Sequence, residues 1–235
     1  MARPRPSDRL DRLVLAAAKV FTQRGYRRTQ MADVARELGV APGTLYLYVE
    51  SKEALFDLVV QRTFLTEEAK AAPALPIPTP PPGRTLETLR RRARREAHPR
   101  LDAALRRTKV ADAAEELRGI VRELYDTLSH FRRGVQLMER SALDWPELAS
   151  VWVGDIRRDM IEKLTLYLER RTRQKHLRAM PNADAAARLV LETVAWPAVH
   201  RHGDAIPPRV TEEQMEETTV EFIVAALILR NGGTQ

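Results

Sequence analysis

The residues best suited to contact a nucleic acid lie in one short stretch, residues 41–48. Its threonine can bond a phosphate or a base, and the threonine methyl can touch a thymine methyl. Its tyrosine hydroxyls have a suitable reach for phosphate oxygens. The side chains concerned are Ala41, Pro42, Gly43, Thr44, Tyr46 and Tyr48. In a helix, the first residues of such a stretch would meet the bases in the major groove.

Polar residues on both sides extend this candidate contact surface. Arg28, Thr29 and Gln30 lie at the start of the preceding helix, whose first amides are also free to bind an anion. Lys52 lies near the start of the following helix, where its charge adds to the attraction of a helix N-terminus for anions. We expect these four residues to join residues 41–48 in binding DNA.

The elements that would position these residues form a helix-turn-helix. Two short helices over residues 29–48 are joined at Gly39, which can adopt the positive φ of the turn. Ala35 is small where the helices must cross, and Pro42 suits a first helical turn. Thr29 is a predicted cap of the first of these helices, and Ser51 of the helix that follows the motif. The predicted core of the motif comprises Val34, Leu38, Val40 and Leu45.

The rest of the chain also has helical periodicity, so the predicted fold class is all-α. The proline-rich residues 72–83 cannot form regular helix and are predicted to be a linker or an exposed loop. Further breaks are predicted at Pro99, at residues 144–146 and at residues 180–181. Thr211 opens a predicted capping box with Gln214.

Composition and charge narrow the classes of function. The chain has 235 residues and a net charge of +7, of which residues 1–52 carry +5 and residues 84–109 carry +7. Two basic blocks indicate an anionic polymer as partner, either a nucleic acid or a membrane surface. Cysteine is absent, which excludes disulfides, thiol nucleophiles and cysteine-based metal sites.

Apolar runs are short. The longest, residues 222–229, is too short to span a bilayer, and no apolar run follows the first residues as in a signal peptide. We therefore expect a cytoplasmic protein that does not enter membranes.

The N-terminal quarter resembles the TetR/AcrR family of transcriptional regulators. The residues that carry the resemblance, in order, are Leu13-Val14-Leu15-Ala16-Ala17, Phe21, Gly25-Tyr26, Thr29, Val34-Ala35, Gly39-Val40, Gly43-Thr44-Leu45-Tyr46 and Ser51-Lys52-Glu53-Ala54-Leu55. Two positions depart from the family pattern: Leu47 replaces a residue that is often polar, and Val49 replaces a common phenylalanine.

The resemblance implies a homodimeric repressor that a small molecule releases from its operator. We expect a three-helix DNA-binding domain over residues 1–52 and a larger helical domain over residues 53–235, which binds the ligand and dimerises. In this mechanism the ligand favours a spacing of the two recognition helices that does not fit a near-palindromic operator. The effector is expected to be largely apolar, and no cofactor, metal or catalytic residue is predicted.

Two further sets of residues are assigned from helical patterning. Large residues in the central helices are most simply core, but some are candidates for a ligand pocket: Tyr125, His130, Phe131, Met138, Trp145 and Trp152. The last two helices, near residues 184–200 and 211–230, have wide apolar stripes and are predicted to form a dimer interface, with packing within the chain as the alternative. The interface candidates are Leu189, Val190, Trp196, Met215, Phe222, Ile223 and Ala226.

Rival interpretations remain at this stage. The arginine-rich residues 90–95 could be a solvated helix face, a phosphate contact or a site for an acidic partner or a membrane. His200, His202 and Asp204 have metal-ligand types, but residues two apart do not share a helix face, and a cationic helix end is the plainer interpretation. An activator on the same scaffold and an enzyme are further alternatives, although no catalytic constellation is visible.

Overall fold

The computed structural model describes residues 6–64, 74–95, 98–206 and 208–229, and within these ranges the chain is all-α, as predicted. Two isolated β-bridge pairs, Val49 with Ile77 and Leu177 with Ile228, are the extended pairings found there, and these ranges contain no strand. None of the described helices has the length and apolar character required to cross a bilayer.

The chain divides into two compact units. The first comprises residues 1–92 and 133–154, and the second comprises residues 93–132 and 155–235. The first unit therefore extends well past Lys52, and the functional boundary expected there stays a prediction.

The first unit contains the helices of the predicted DNA-binding region together with a later segment of the chain. Its elements are α1 (Pro6–Arg24), α2 (Met31–Leu38), α3 (Pro42–Leu45), α4 (Lys52–Phe64), most of α5 (Arg84–Arg95), α8 (Arg132–Ala142), α9 (Pro146–Ala149) and the first part of a π-helix (Ser150–Arg157). Its core includes the fully buried Leu13, Phe21, Leu45, Leu55 and Phe56.

The second unit is a bundle of longer helices. Its elements are α6 (Pro99–Arg106), α7 (Ala113–His130), α10 (Arg158–Arg173), α11 (Ala183–Ala198), a 3-10 helix (His200–Gly203) and α12 (Glu212–Leu227). The buried side chains of its core include Leu117, Ile120 and Leu124 of α7, Leu164 of α10, Val194 of α11 and Val220 of α12.

Four predicted helix ends, at Gly25, Gly39, Ser51 and Thr211, are found in the structure. Gly25 and Gly39 end α1 and α2 with φ of 82° and 75°, a backbone region that favours glycine. Ser51 Oγ accepts a hydrogen bond from the Ala54 amide. The capping box of α12 is also formed, since Gln214 N donates to Thr211 Oγ1 and Thr211 N donates to Gln214 Oε1.

The predicted cap of α2 is wrong by one residue. Gln30, not Thr29, is the N-cap residue of α2. Thr29 is buried, and its hydroxyl donates to the carbonyl oxygen of Gly25 at 2.7 Å. That carbonyl lies just beyond the end of α1, so the threonine satisfies the C-terminus of the preceding helix rather than the N-terminus of the next.

A buried arginine holds three elements of the second unit together. Arg171 on α10 has no exposed side-chain surface. Its Nε and Nη2 donate to the two carboxylate oxygens of Glu116 on α7 at 2.7 and 3.1 Å. Nη2 also donates to the Ala104 carbonyl of α6 at 2.7 Å, and Nη1 donates to Gln174 Oε1. All three nitrogens of the guanidinium are therefore hydrogen-bonded in the protein interior.

Replacing this arginine should strongly destabilise the second unit. Arg171→Met leaves the Glu116 carboxylate half of a broken buried pair, which costs about 3–5 kcal/mol of unfolding free energy. Arg173→Met, which removes an exposed arginine two residues away on the same helix, should change it by no more than about 0.5 kcal/mol. Urea denaturation followed by circular dichroism measures both. A loss for Arg171→Met below about 1 kcal/mol, the range of exposed pairs, would contradict this assignment.

Candidate nucleic-acid interface

Residues 41–48, here called the recognition segment, form one helical turn followed by tighter turns. After α3, the amides of Tyr46, Leu47 and Tyr48 each donate to the carbonyl three residues earlier, at 3.3, 3.3 and 2.9 Å. Leu45 is fully buried, as is Val49 directly after the segment. These two side chains anchor the segment in the core and turn its other side toward solvent.

The solvent side of the recognition segment carries the residues predicted to bind DNA. Ala41, Pro42 and Gly43 are exposed, and Tyr46 keeps half of its accessible surface. Thr44 and Tyr48 are half-buried. Leu47 is 68% exposed, so the position that departs from the family pattern is itself part of this surface.

Helix α2 packs against the recognition segment in the predicted helix-turn-helix arrangement. Val34 and Ala35 are buried between the helices. The turn between them is closed by the Val40 amide, which donates to the Ala35 carbonyl at 3.0 Å. The predicted core residue Leu38 is half-buried. The sequence thus placed the motif correctly.

The start of α2 is fixed by Asp33. Its carboxylate accepts a hydrogen bond from the Gln30 amide at 3.0 Å and lies 2.8 Å from Arg24 and 3.1 Å from Arg36. The Gln30 amide, together with these arginines, lowers the pKa of Asp33. Gln30 and Asp33 form a capping box at the start of α2, and the Gln30 side chain is exposed.

Lys52 has an internal role in this structure. Its Nζ donates to the carbonyl oxygens of Tyr26, Arg27 and Thr29 at 3.2, 3.4 and 3.2 Å. It also lies 4.6 Å from the centroid of the Tyr26 ring. These bonds hold the α1–α2 connection against the start of α4, and contact of Lys52 with a phosphate stays a prediction.

The two remaining predicted contacts differ in exposure. The Thr29 side chain is buried and bonded to Gly25. The Arg28 side chain is 73% exposed, and its Nε lies 4.0 Å from Asp144 Oδ2. Arg28 therefore offers an accessible positive charge, whereas Thr29 offers a positioning bond.

The segment that follows α8 packs on the α1–α2 connection. The Trp145 ring stacks on Tyr26 with centroids 4.5 Å apart and contacts Phe56 at 5.6 Å. Arg140 Nε donates to the Gln23 carbonyl at 3.0 Å. A Cβ at Gly25 would lie 2.9 Å from Asp144 Oδ2, so only glycine permits this approach. The sequence did not predict this contact, because it links residues 117 to 119 positions apart.

A second missed feature is the proline-rich segment. Of the predicted loop 72–83, residues 72 and 73 lie outside the described residues, and residues 74–83 are largely exposed. Ile77, however, forms backbone hydrogen bonds with Tyr48 and Glu50. The alternation of proline with other residues over 76–80 was the available signal of extended backbone.

The six candidates for a ligand pocket are divided between the two units. Tyr125, His130 and Phe131 belong to the second unit, and Met138, Trp145 and Trp152 belong to the first. Tyr125 is buried, its hydroxyl donates to Glu212 Oε1 at 2.9 Å, and burial raises its pKa. His130 is exposed and edge-on to Phe131 at 4.6 Å. Met138 is fully buried.

Trp152 has an unusual hydrogen-bonding state. Its indole Nε1 is buried and has no acceptor among the described residues. Its ring lies 6.3 Å from that of Phe64, in the same unit. The N–H group is thus free to bond a group that the described residues do not supply.

A cavity of about 230 Å³ lies in the second unit at the ends of α10, α11 and α12. Its lining is largely apolar and is formed by Leu168, Glu169, Thr172, Arg173, Leu177, Arg178, Met180, Ala183, Ala186 and Leu227. None of the six predicted pocket residues lines it.

The candidate dimer helices α11 and α12 pack against each other within the second unit. Leu189 and Phe222 are 64% and 66% exposed, and Trp196 is 43% exposed. Val190 and Ile223 are buried inside the unit, which removes them from any surface that a partner could contact in this structure. Met215 and Ala226 are half-buried. Apolar residues of α11 and α12 therefore divide between an internal and an external face.

Metal ligands are not clustered in the part of the chain that the structure describes: no three histidine or acidic side chains there could share an ion. His200 and His202 lie in the short 3-10 helix after α11, and His202 Nε2 is 3.8 Å from Glu212.

Comparisons with known proteins agree with this architecture. Residues 13–59 match the family model "Bacterial regulatory proteins, tetR family". The chain is 43% identical over 63 residues to an uncharacterized HTH-type transcriptional regulator, YhgD, of Bacillus subtilis, covering 27% of this chain and 32% of YhgD. It is 38% identical over 60 residues to the HTH-type transcriptional repressor KstR2 of Mycolicibacterium smegmatis, covering 26% and 29%. The matched region thus spans about a third or less of these relatives.

Solved structures extend the likeness to the whole fold. The ketosteroid transcriptional regulator KstR2 of Mycobacterium tuberculosis aligns with a TM-score of 0.59 and 18% identity over 97% of this chain and 99% of that one. AibR, solved with isovaleryl coenzyme A and operator DNA, aligns with a TM-score of 0.54 and 17% identity over 91% and 97%. Residues 13–59 therefore form a helix-turn-helix region of the TetR family of bacterial regulatory proteins, and the chain as a whole shares the all-helical fold of these regulators.

Proposed function

We propose that this protein is a transcriptional repressor that binds a near-palindromic operator as a homodimer and is released by a small molecule. The observation that carries the proposal is the recognition segment, which is anchored by Leu45 and Val49 and turns an exposed face of small, hydroxyl and apolar groups to solvent. A DNA ligand also implies a cytoplasmic location.

The exposed groups suit two kinds of contact with DNA, one to phosphates and one to bases. The Tyr46 hydroxyl, the Arg28 guanidinium and the exposed Gln30 side-chain amide suit phosphate oxygens. Thr44 and the methyl groups of Leu47 suit base edges, where the thymine methyl is the apolar partner. Lys52 and Thr29 stabilise the α1–α2 connection through their hydrogen bonds to carbonyl oxygens of residues 25–29.

Dimerisation is supported by the external face of α11 and α12. Leu189, Trp196 and Phe222 leave large apolar surfaces uncovered in a single chain, and such surfaces commonly mark an interface. A second copy is the partner we propose, since two-fold pairing places the same patch on both sides. Two recognition segments about 34–36 Å apart would then read two half-sites one DNA turn apart.

Release by a small molecule is supported by polar groups with unused bonding capacity. The indole Nε1 of Trp152 is buried without an acceptor, and the buried Ser141 Oγ also lacks a partner among the described residues. Both belong to the unit that contains the recognition segment. A largely apolar effector with a hydrogen-bond acceptor fits this chemistry, and AibR shows that this fold can hold an acyl thioester. Such an effector releases DNA only if it binds the released conformation more tightly.

DNA recognition is tested by selecting duplexes from a random pool with the wild-type protein. We expect an enriched inverted repeat. Tyr46→Phe should weaken binding by about 1.5 kcal/mol per half-site, the typical value of a hydrogen bond to a charged group, and it should do so equally for all sequences. Thr44→Ala should change the preferred sequence as well. Fluorescence anisotropy measures the affinities.

Tyr167→Phe is the matched control, because it removes a buried hydroxyl from α10 in the other unit and should leave DNA affinity unchanged. The proposed role of the recognition segment is contradicted if Tyr46→Phe binds as tightly as the wild type, or if no duplex is enriched.

The dimer surface is tested by placing a charge on it. Phe222→Glu and Leu189→Glu should shift the protein from dimer to monomer in analytical ultracentrifugation, because a buried unpaired carboxylate is costly. Leu166→Glu, at a 55% exposed leucine on α10, is the control and should remain dimeric. Dimers that persist in both interface variants would show that another surface pairs the chains.

The effector site is tested with a panel of acyl coenzyme A thioesters and steroids. We expect at least one compound to raise the melting temperature and to lower operator affinity in the same concentration range. Trp152→Phe keeps an aromatic ring, although a smaller one, but loses the N–H, and should reduce that compound's affinity by at least about tenfold, as for one hydrogen bond of about 1.4 kcal/mol. Equal compound affinity for Trp152→Phe and the wild type would remove Trp152 from the site.

A further inference from the structure

The segment Leu75–Gly83, here called the strap, is attached by its backbone to the end of the recognition segment. Ile77 N donates to the Tyr48 carbonyl at 2.8 Å, and the Glu50 amide donates to the Ile77 carbonyl at 3.0 Å. This pair of bonds is the isolated parallel bridge between Ile77 and Val49. The strap thus extends the exit of the recognition segment by one short pairing.

Side chains add two more ties. Thr79 N donates to Glu50 Oε2 at 2.9 Å. The Thr79 hydroxyl donates to Ser51 Oγ at 2.8 Å, and this same oxygen accepts the Ala54 amide at the start of α4. The strap therefore joins the exit of the recognition segment and the cap of α4.

The composition of the strap matches this attachment. Five of its nine residues are proline, which fixes φ and lowers the entropy lost on ordering. Between Pro76 and Pro82 only Ile77 and Thr79 retain an amide N–H. Both amides donate hydrogen bonds, Ile77 N to the Tyr48 carbonyl and Thr79 N to the Glu50 carboxylate.

The strap is also fixed where it enters α5. The hydroxyl of Thr85, two residues beyond the strap, donates to Asp57 Oδ1 on α4 at 2.7 Å. Both residues are buried, and Asp57 Oδ2 accepts from Gln61. The chain is thus tied to the start of α4 at Ser51, through Thr79 of the strap, and to the middle of α4 at Asp57, through Thr85 just after the strap.

We propose that the strap is a positioning element for DNA recognition, in which Ile77 and Thr79 fix the exit of the recognition segment against the start of α4. The inference rests on the proposed DNA binding and names residues that support it without touching DNA. Loosening the strap lowers the fraction of molecules whose recognition segment has the binding orientation, and the apparent affinity falls by that fraction.

Substitution of Glu50 tests the proposal, because electrostatics and loss of the strap contact predict opposite changes in DNA affinity. Glu50→Ala removes a negative charge beside the recognition segment, so simple electrostatics predicts tighter DNA binding. Loss of the acceptor for Thr79 N predicts weaker binding, by about fivefold, the equivalent of roughly one net hydrogen bond. Glu50→Gln loses the charge but keeps an acceptor oxygen, and should bind at least as tightly as the wild type.

Thr79 provides a second pair of variants. Thr79→Val removes the hydroxyl at nearly constant volume and should weaken binding several-fold, whereas Thr79→Ser should restore wild-type affinity. Affinities are measured by fluorescence anisotropy on the duplex that the wild type selects from a random pool. Glu50 and Thr79 are exposed, and unchanged urea midpoints verify that all four variants remain folded.

The outcomes separate this inference from the proposed function. If the wild type selects a duplex but Glu50→Ala and Thr79→Val bind it as tightly as the wild type, the strap has no positioning role while DNA binding stands. If the wild type selects no duplex, both proposals fail. Hydrogen exchange of the free protein measures the attachment without DNA: in Glu50→Ala the amides of residues 46–49 should exchange faster, and unchanged exchange would also overturn the inference.

Discussion

A helix of four residues cannot maintain its own orientation, and the proposed DNA-binding surface is built on such a helix. Isolated helices of this length are unstable, because the conformational entropy lost in forming the first turn outweighs the stabilisation by the hydrogen bond of that turn. The orientation of α3 must therefore come from its neighbours. Leu45 and Val49 provide the apolar anchors, and the backbone of residues 48–50 is paired with Ile77. The remaining features of the first unit can be understood as support for this one turn.

The supports converge on both ends of the helix-turn-helix. Lys52 donates to three carbonyl oxygens of the α1–α2 connection, and Trp145 packs on the same connection through Tyr26. The chain leaves this compact unit after Arg92 and returns to it at Arg133. Residues 133–154, which are distant in sequence, thus share a compact unit with the recognition segment.

The sequence was sufficient for the features that depend on local chemistry. The stops at Gly25 and Gly39, the cap at Ser51 and the capping box at Thr211 each need only a few neighbouring residues. The helix-turn-helix was found for the same reason. The cap at Thr29 failed because its hydroxyl had a second acceptor, the Gly25 carbonyl, which becomes available only after α1 has ended and the chain has turned.

Features that depend on distant contacts could not be predicted in this way. Trp145 was grouped with pocket residues because it is large and lies at the predicted break at residues 144–146, but its position follows from packing on Tyr26 and Phe56. Apolar periodicity placed Val190 and Leu189 on one stripe, whereas the bundle buries the first and exposes the second. The burial of Arg171 has no local signal in the sequence, because its acceptors on α7 and α6 lie 55 and 67 residues away.

The central claim, that the recognition segment enters the major groove, is tested most directly by site-specific photo-crosslinking. A benzophenone amino acid at Leu47, which is 68% exposed, should crosslink to bases of the selected duplex at two positions about one helical turn apart. The same group at Leu166 should give no crosslink. Crosslinks absent from position 47, or equal at both positions, would contradict the account.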